Sequence, residues 1–260
     1  MTVAVFGWIQ YFLYPDVRAL YAWGWDDHFL RLVGTFLDPT FTSIFGVFGF
    51  ILSLTFYLER KRKLYLALII FFLLTTAFTY ARAGYLAIMA GTLAVTFIKR
   101  ELKTAAVLIL MLLAILMFLP GGASEGVQLA RTKSIFARFG NYSEAITIFK
   151  QSPLFGVGYN NFCLARRVYL KDSEFPSHSC SGSDSSLLLV LATTGVLGLM
   201  SFGKMVLEIF RRTSKNIYGT AFTAVAVALA VHGAFANSYF YPWVLGFLAI
   251  LLGIAIKEKT

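Results

Sequence analysis

The side chains best suited to chemistry lie between residues 121 and about 185, in a long polar segment of an otherwise apolar chain. Its candidate functional side chains are Arg131, Lys133, Arg138, Arg166, Arg167, Lys171, His178 and Asp184. The planar guanidinium group of arginine binds two phosphate oxygens at once. A histidine or carboxylate beside an arginine-bound phosphate suits glycosyl or phosphoryl transfer, which needs a base for the incoming hydroxyl and cations for the leaving diphosphate. His178 and Asp184 are therefore candidate bases.

Both candidate bases also have a simpler interpretation. His178 is the only histidine of this segment, and a loop histidine is most often a plain surface residue. Asp184 lies among small polar residues just before an apolar run, where it would make a good helix N-cap. The sequence leaves these alternatives open.

Arg82 lies between two apolar runs that would otherwise form one continuous stretch. A cation there costs a few kcal/mol unless it reaches water, an anion or a partner. Arg82 either snorkels and caps a helical hairpin or holds an anionic group such as a phosphate at the membrane surface. Arg31, which precedes Gly34-Thr35-Phe36, is a second arginine near the start of an apolar run.

The polar segment itself has predictable local structure. The stretch SIFARFGNYSEAITIFKQSP predicts one or two amphipathic helices on a membrane surface, interrupted at Gly140 and ended by Ser152-Pro153. In the following PLFGVGYNNF, Gly156 and Gly158 allow a tight turn and a close backbone approach. A Gly-x-Gly pair alone is weak evidence for phosphate binding, and no strand precedes it in a βαβ setting, which excludes a dinucleotide-binding fold.

The rest of the chain predicts membrane-spanning helices. Of 260 residues, 58% are hydrophobic and 14% charged, whereas soluble domains average about 25% charged residues. The apolar runs that approach the length of a span are 2–14, 41–58, 64–80, 84–98, 104–119, 186–203, 218–236 and 240–256. We therefore predict an all-α, polytopic membrane protein: one domain, 1–260, with about eight transmembrane helices and one long exterior loop, 121–185, containing amphipathic helices.

The net charge of +10 is explained by basic residues whose placement indicates the membrane topology. If the spans alternate, most of the basic residues fall on one side: Arg60 to Lys63, Lys99, Arg100, Lys103, Lys204, Arg211, Arg212, Lys215, Lys257 and Lys259. The positive-inside rule then places both termini in the cytoplasm and the long loop outside. Met1 leads almost directly into an apolar run, so we expect an anchor and not a removable signal peptide. A nucleic-acid partner is not expected.

Cys163 and Cys180 both lie in the exterior loop, where they either form a disulfide or stay as thiols. Their spacing does not match a zinc site. Asp26, Asp27 and His28 resemble a metal cluster on paper, but adjacent side chains do not converge on a helix or strand. We expect no metal there.

Five stretches in order resemble the O-antigen ligase and O-antigen polymerase superfamily, the bacterial integral-membrane glycosyltransferases of surface polysaccharide assembly. The stretches are RLVGTFLDPTFTSIF, TYARAGYLAIMAG, ARFGNYSEAITIFKQSPLFGVGYNNF, DSSLLLVLATTGVLGL and VHGAFANSYFYPWVLGFLAILLGIA. They resemble the Arg-x-x-Gly-Thr-Phe-x-x-Pro segment, the hairpin arginine, the arginine helix ending in Pro-Leu-x-Gly-x-Gly, the span that follows it, and the closing pair of spans.

The resemblance implies a location in the bacterial cytoplasmic membrane and a polyprenyl-diphosphate-linked oligosaccharide donor, taken up from membrane lipid at the outer leaflet. The glycan would pass to a glycan or glycolipid acceptor, with neither a metal nor a nucleotide sugar as cofactor. On matching positions, Arg82 and Arg138 would bind the diphosphate together, and Arg31 is a further candidate.

The chain departs from the family pattern at two points. Ligases of this family have a histidine at the head of the span that begins here with DSSLLL, and that position is Asp184, with His178 six residues earlier. Either residue, or neither, would serve as the base, and this departure favours a polymerase-like or divergent member over a lipid A core ligase. The family also has about ten to twelve spans or more, so the resemblance implies a short version, inactive if it is truncated.

Two other functions fit the sequence less well. A transporter or lipid-linked-glycan-binding protein would have ionisable residues near mid-span and broken helices in two matching halves, whereas His232 is the clearest ionisable residue inside a span. An intramembrane serine protease would pair His232 with Ser179, Ser181 or Ser183. Those serines lie outside the span, and His232 is more simply explained by helix packing.

Overall fold

The computed structural model describes residues 1–23, 28–120, 125–128, 132–170 and 182–256. Within these ranges the secondary structure is helical, apart from isolated β-bridges such as that between Asp16 and Phe29. The α-helices are α1 (Thr2–Leu13), α2 (Pro39–Arg60), α3 (Lys63–Phe78), α4 (Arg82–Lys99), α5 (Leu102–Phe118), α6 (Lys133–Gln151), α7 (Phe162–Tyr169), α8 (Ser186–Arg212), α9 (Ile217–His232) and α10 (Pro242–Ala255). The predicted all-α class is confirmed.

Each of the eight apolar runs corresponds to one α-helix. The run 186–203 continues as helix to Arg212, where Arg212 Nε lies 2.8 Å from Glu208 one turn earlier. By length and composition, α2 and α8 are each able to cross a membrane, and α1, α3, α5, α9 and α10 are apolar but shorter. The helices are therefore confirmed, whereas eight membrane spans stay a prediction.

The described residues divide into two compact units. The first comprises residues 1–131, 214–232 and 246–260, and the second comprises 132–213 and 233–245. The core of the first unit consists of α2, α3, α4 and α9. Small residues let these helices approach closely: Gly84 packs against Ser43, and Gly91 packs against Ile51 and Ala228.

The start of α2 is fixed by its sequence. Asp38 is the N-cap, and its carboxylate accepts hydrogen bonds from the backbone N–H groups of Thr40 at 2.6 Å and Phe41 at 2.9 Å. Pro39 occupies the first helical position, where its missing N–H costs nothing. The helix ends before Lys61, whose φ of +51° is left-handed, and this turn leads directly into α3.

In the second unit, α6 packs against both α7 and α8. The shared core is a small apolar cluster: Ala145, Ile148, Phe162, Ala165, Leu189 and Ala192. Arg166 of α7 is buried and lies 3.3 Å from Glu144 of α6. The amphipathic pattern of the predicted exterior segment thus buries one face of each helix within the unit.

A break in α8 determines how this unit is assembled. Gly195 has φ +66° and ψ −169°, which interrupts the helix. The residue after the break, Val196, donates its N–H to the carbonyl of Pro153 at 2.9 Å. In the other direction, the N–H groups of Val157 and Gly158 donate to the carbonyls of Ala192 and Thr193 at 3.1 and 2.9 Å. The PLFGVG segment therefore supplies the hydrogen bonds that the broken helix lacks.

The two glycines at this junction are required by contact as well as by backbone angle. A side chain at Gly156 (φ +70°) would overlap the backbone of Thr193 and Thr194, and one at Gly195 would overlap the carbonyl of Leu154. The close backbone approach predicted for Gly156 is confirmed, and the backbone it meets is that of α8.

Candidate active site

Arg138 and Tyr142 lie one turn apart on α6, so their side chains share a face of the helix. Both are half-buried. The Tyr142 hydroxyl donates a hydrogen bond to the carbonyl of Ala234 at 2.7 Å. Burial raises the pKa of Tyr142, the charge of Arg138 lowers it, and the charge of Asp184 raises it. Two predicted site residues, Arg138 and Asp184, therefore lie within electrostatic reach of one tyrosine hydroxyl.

Asn141, on the same helix, contacts the segment that carries Asp184. Its side-chain oxygen accepts hydrogen bonds from the backbone N–H of Asp184 at 2.7 Å and from the hydroxyl of Ser183 at 3.0 Å. Its side-chain nitrogen lies 3.5 Å from the carbonyl oxygen of Gly182. A single α6 side chain thus holds three consecutive residues of the segment leading into α8.

Asp184 is not the N-cap of α8, in contrast to one of the two interpretations of the sequence. The N-cap is Ser185, whose hydroxyl accepts from the N–H of Leu188 at 3.4 Å. The next residue, Ser186, donates its backbone N–H to Gly233 at 2.8 Å and its hydroxyl to Ala236 at 3.1 Å. The helix is capped and tethered through these serines, and Asp184 lies one residue outside the cap.

Arg82 is the first residue of α4 and is half-buried. It follows a turn in which Tyr80 has a left-handed φ of +53°. The first turn of α4 contains no acidic residue, and its N-cap, Ala81, has no side-chain oxygen to accept from the first N–H groups. The partial positive charge of the helix N-terminus and the guanidinium group therefore add together, an arrangement that favours an anion.

Arg31 has a different environment, with only 7% of its surface exposed. Its Nε donates to the carbonyl of Thr79 at 3.0 Å and its Nη2 donates to that of Tyr80 at 3.4 Å. Nη1 lies 3.4 Å from Nδ1 of His28. Arg31 thus supports the turn that immediately precedes Arg82.

The remaining candidates are placed as follows. His178, Cys180, Asp26 and Asp27 lie outside the residues that the structure describes. Cys163 is disulfide-bonded. The predicted amphipathic helix is one continuous helix, α6, that passes through Gly140 and ends before Ser152. Among the described residues, no group of His, Cys, Asp and Glu is arranged to hold a metal ion.

The histidine of the protease alternative has a different partner. His232 is fully buried, and its Nε2 lies 3.3 Å from the hydroxyl oxygen of Ser43. That hydroxyl also donates to the carbonyl of Thr40 at 2.6 Å. The hydroxyl of Ser183 donates to Asn141 instead.

Two residues of the site were missed by the sequence analysis, Asn141 and Tyr142. Their spacing from Arg138, three and four positions along a predicted helix, places all three side chains on one face. That spacing was a usable signal once Arg138 had been chosen. Their partners in space, Asp184 and Ala234, lie far along the chain and carry no local signal.

Fold and site together define an all-α protein of apolar helices, with arginines at a helix start and on an amphipathic helix. The O-antigen ligase family model matches residues 67–203, which is more than half of the chain. The chain therefore belongs to the O-antigen ligase family. The match contains Arg82, Arg138 and Asp184 and ends before His232. No curated protein matches the chain.

Family membership confirms the resemblance seen in the sequence. It supports an enzyme of ligase- or polymerase-like type in polysaccharide assembly, with a lipid-linked glycan and an acceptor as its partners in general terms.

Proposed function

We propose that the protein transfers a glycan from a polyprenyl-diphosphate donor to an acceptor hydroxyl, at the outer face of the cytoplasmic membrane. In this reaction the bond between the anomeric carbon and the diphosphate oxygen breaks, and a bond between that carbon and the acceptor oxygen forms. The acceptor proton passes to a base, and polyprenyl diphosphate leaves as an anion. The observation that carries the proposal is that Asn141 connects the helix that carries Arg138 directly to the backbone of Asp184.

Within this grouping we assign Asp184 as the base and Arg138 as a ligand of the diphosphate. Asp184 is half-buried and lies just outside the capped start of α8, so its carboxylate is not used as the helix cap. Arg138 supplies a charge that is complementary to the leaving group. Tyr142 lies near both charges, with its hydroxyl anchored to Ala234. His178 stays the alternative base proposed from the sequence.

Arg82 stays a proposed phosphate ligand, because its charge coincides with the N-terminus of α4. Arg31 is better suited to positioning than to direct binding, since its guanidinium donates to the carbonyls of Thr79 and Tyr80. We propose that Arg31 keeps Arg82 in place by fixing the preceding turn.

We further propose a multi-pass topology of about eight spans with cytoplasmic termini and an exterior 121–185 loop. Contacts within the first unit support this alternation: Ser43, Gly84 and His232, assigned to the exterior ends of α2, α4 and α9, lie together. At the opposite end, Lys99 of α4 pairs with Glu59 of α2.

The test is donor turnover by the purified protein in lipid vesicles containing a polyprenyl-diphosphate oligosaccharide, with and without an acceptor glycan. Arg138→Ala and Asp184→Asn are each expected to reduce turnover by about 10²–10³-fold, the usual cost of losing a charge-stabilising group or a base. Arg211→Ala is the matched control, because Arg211 is largely exposed and belongs to the predicted cytoplasmic cluster.

Full activity in both site variants would refute the assignment of this site. Donor binding without turnover by the wild-type protein would instead favour a non-enzymatic transporter or glycan-binding protein. A transporter would also contain broken helices, as α8 is broken here. In this protein, however, the PLFGVG segment supplies the hydrogen bonds that the broken helix lacks.

A further inference from the structure

We propose that Asn141 is a positioning residue that fixes Asp184 in its reactive orientation; this inference rests on the proposed function. Asn141 lies on α6 between Arg138 and Tyr142. Its amide is the direct connection between the helix that carries the arginine and the segment that carries the carboxylate. The Asn141 side chain would thus contribute to the spacing of the two reactive groups.

The orientation of the Asn141 amide follows from its partners. The backbone N–H of Asp184 can only donate, so the atom 2.7 Å from it must be the side-chain oxygen. The Ser183 hydroxyl donates to the same oxygen at 3.0 Å, which places the amide nitrogen on the side of the Gly182 carbonyl. Both lone pairs of the oxygen are therefore used, one by the backbone N–H of Asp184 and one by the side-chain hydroxyl of Ser183.

Asn141 is not required to form the helix that follows. The cap of α8 comes from Ser185, and Ser186 connects the helix to Gly233 and Ala236. Asn141 acts one step earlier, on the backbone N–H of Asp184 and the hydroxyl of Ser183, next to Gly182, whose φ of +127° is available mainly to glycine. Removal of Asn141 should therefore displace Asp184 while α8 stays intact.

A small displacement of a base is enough to slow catalysis, because a misplacement of ~1 Å can cost about 10²-fold in rate. The donor should still bind, since neither Arg82 nor Arg138 is altered. The expected signature is a lower kcat with an unchanged donor KM.

The experiment compares Asn141→Leu, which has a similar volume and no polar atom, with Asn141→Asp, which keeps an oxygen to accept from Asp184 and Ser183. Turnover is measured in the donor-loaded vesicles over a range of donor concentrations. Asn141→Leu is expected to lower kcat by about 10–100-fold without changing KM. Asn141→Asp should recover part of the loss, limited by its extra negative charge beside Asp184. Ser143→Ala is the control, because Ser143 is exposed on the same helix.

The inference is overturned if Asn141→Leu retains wild-type kcat, or if Asn141→Asp and Asn141→Leu lose activity equally. It is also overturned if the loss is accounted for by a smaller folded fraction, measured by thermal unfolding in detergent.

Testing Asn141→Leu in a protein that already carries Asp184→Asn separates this inference from the proposed function. If Asn141 acts through Asp184, adding Asn141→Leu to Asp184→Asn causes no further loss. Loss of activity in Asp184→Asn together with full activity in Asn141→Leu would refute the positioning role alone. Full activity in Asp184→Asn would refute the proposed base itself.

Discussion

The two arginines assigned to the diphosphate are held in different ways. Arg82 follows a turn whose carbonyls accept hydrogen bonds from the buried Arg31, so the turn that leads into Arg82 is held through its backbone. Arg138 belongs to a helix whose neighbouring residues, Asn141 and Tyr142, use their side chains to bind other segments of the second unit.

The difference indicates a division of tasks. The Arg82 region contains a fixed charge at a helix terminus and is suited to binding an anion without exchanging a proton with it. The Arg138 region includes Asp184 and Tyr142, which are able to gain or lose protons. We therefore expect changes near Arg82 to affect donor binding and those near Arg138 to affect the chemical step.

The largest expected effect comes from removing both arginines. Arg82→Ala and Arg138→Ala should each lower kcat/KM for donor turnover by up to about 10³-fold. If both side chains act on one diphosphate, the double variant should lose only slightly more than the worse single variant, because groups that act together are not additive. The measurement is a double-mutant cycle, and strictly additive losses would indicate two independent sites.

The next largest effect is on stability, at the junction between the PLFGVG segment and α8. Gly156→Ala should destabilise the second unit by about 2–3 kcal/mol, because its Cβ would overlap the α8 backbone at a positive φ. Gly140→Ala is the matched control within α6: nothing lies near its Cβ position, and a gain of about 0.5–1 kcal/mol is expected. Thermal unfolding in detergent compares the two, and equal effects would contradict the junction described here.

A smaller effect is expected from the support of the Arg82 turn. Arg31→Met keeps the length of the side chain but loses the hydrogen bonds to Thr79 and Tyr80, at a cost of about 1.5–3 kcal/mol. The donor KM should rise with it, because Arg82 is displaced. Arg18→Met is the control, since Arg18 forms an exposed ion pair with Asp16, and the loss of such a pair changes stability little. An unchanged donor KM in Arg31→Met would remove its positioning role.

The smallest effect concerns pH. The pKa of Tyr142 is raised, chiefly by burial, so folding favours its protonated form. Its contribution to stability is complete below the ordinary tyrosine pKa of about 10 and is lost as pH rises through the higher folded-state value. Tyr142→Phe should therefore cost about 1 kcal/mol at pH 7, and the difference from wild type should narrow above about pH 10. The measurement is the unfolding temperature of wild type and Tyr142→Phe from pH 7 to 11. A difference between the two proteins that stays constant over this range would contradict the prediction.

Local sequence was sufficient for the helices and insufficient for their junctions. The apolar runs predicted the positions of eight helices, because the length of an apolar run is read from neighbouring residues. The end of α6 was predicted from an equally local signal, Ser152-Pro153. Gly140 did not interrupt α6, since an exposed glycine in an otherwise helical run costs only about 1 kcal/mol.

Long-range contacts explain what the sequence analysis could not locate. Asp184 was interpreted as a possible cap, but Ser185 occupies that position, and the Asp184 backbone is bound by Asn141, 43 residues earlier. The Gly-x-Gly pair predicted a close approach but not its target, the broken α8. Arg31 could be recognised as unusual, but its carbonyl partners lie 48 and 49 residues away.

The exchange of hydrogen bonds across Gly195 also limits how this protein can be recombined with a relative. Residues 153–158 complete the backbone of another helix, so neither piece has a satisfied partner without the other. A chimera with its crossover between residues 160 and 190 would join a loop from one parent to a broken helix from the other. Functional exchange should require crossovers outside 152–197, which makes that stretch one inheritable block.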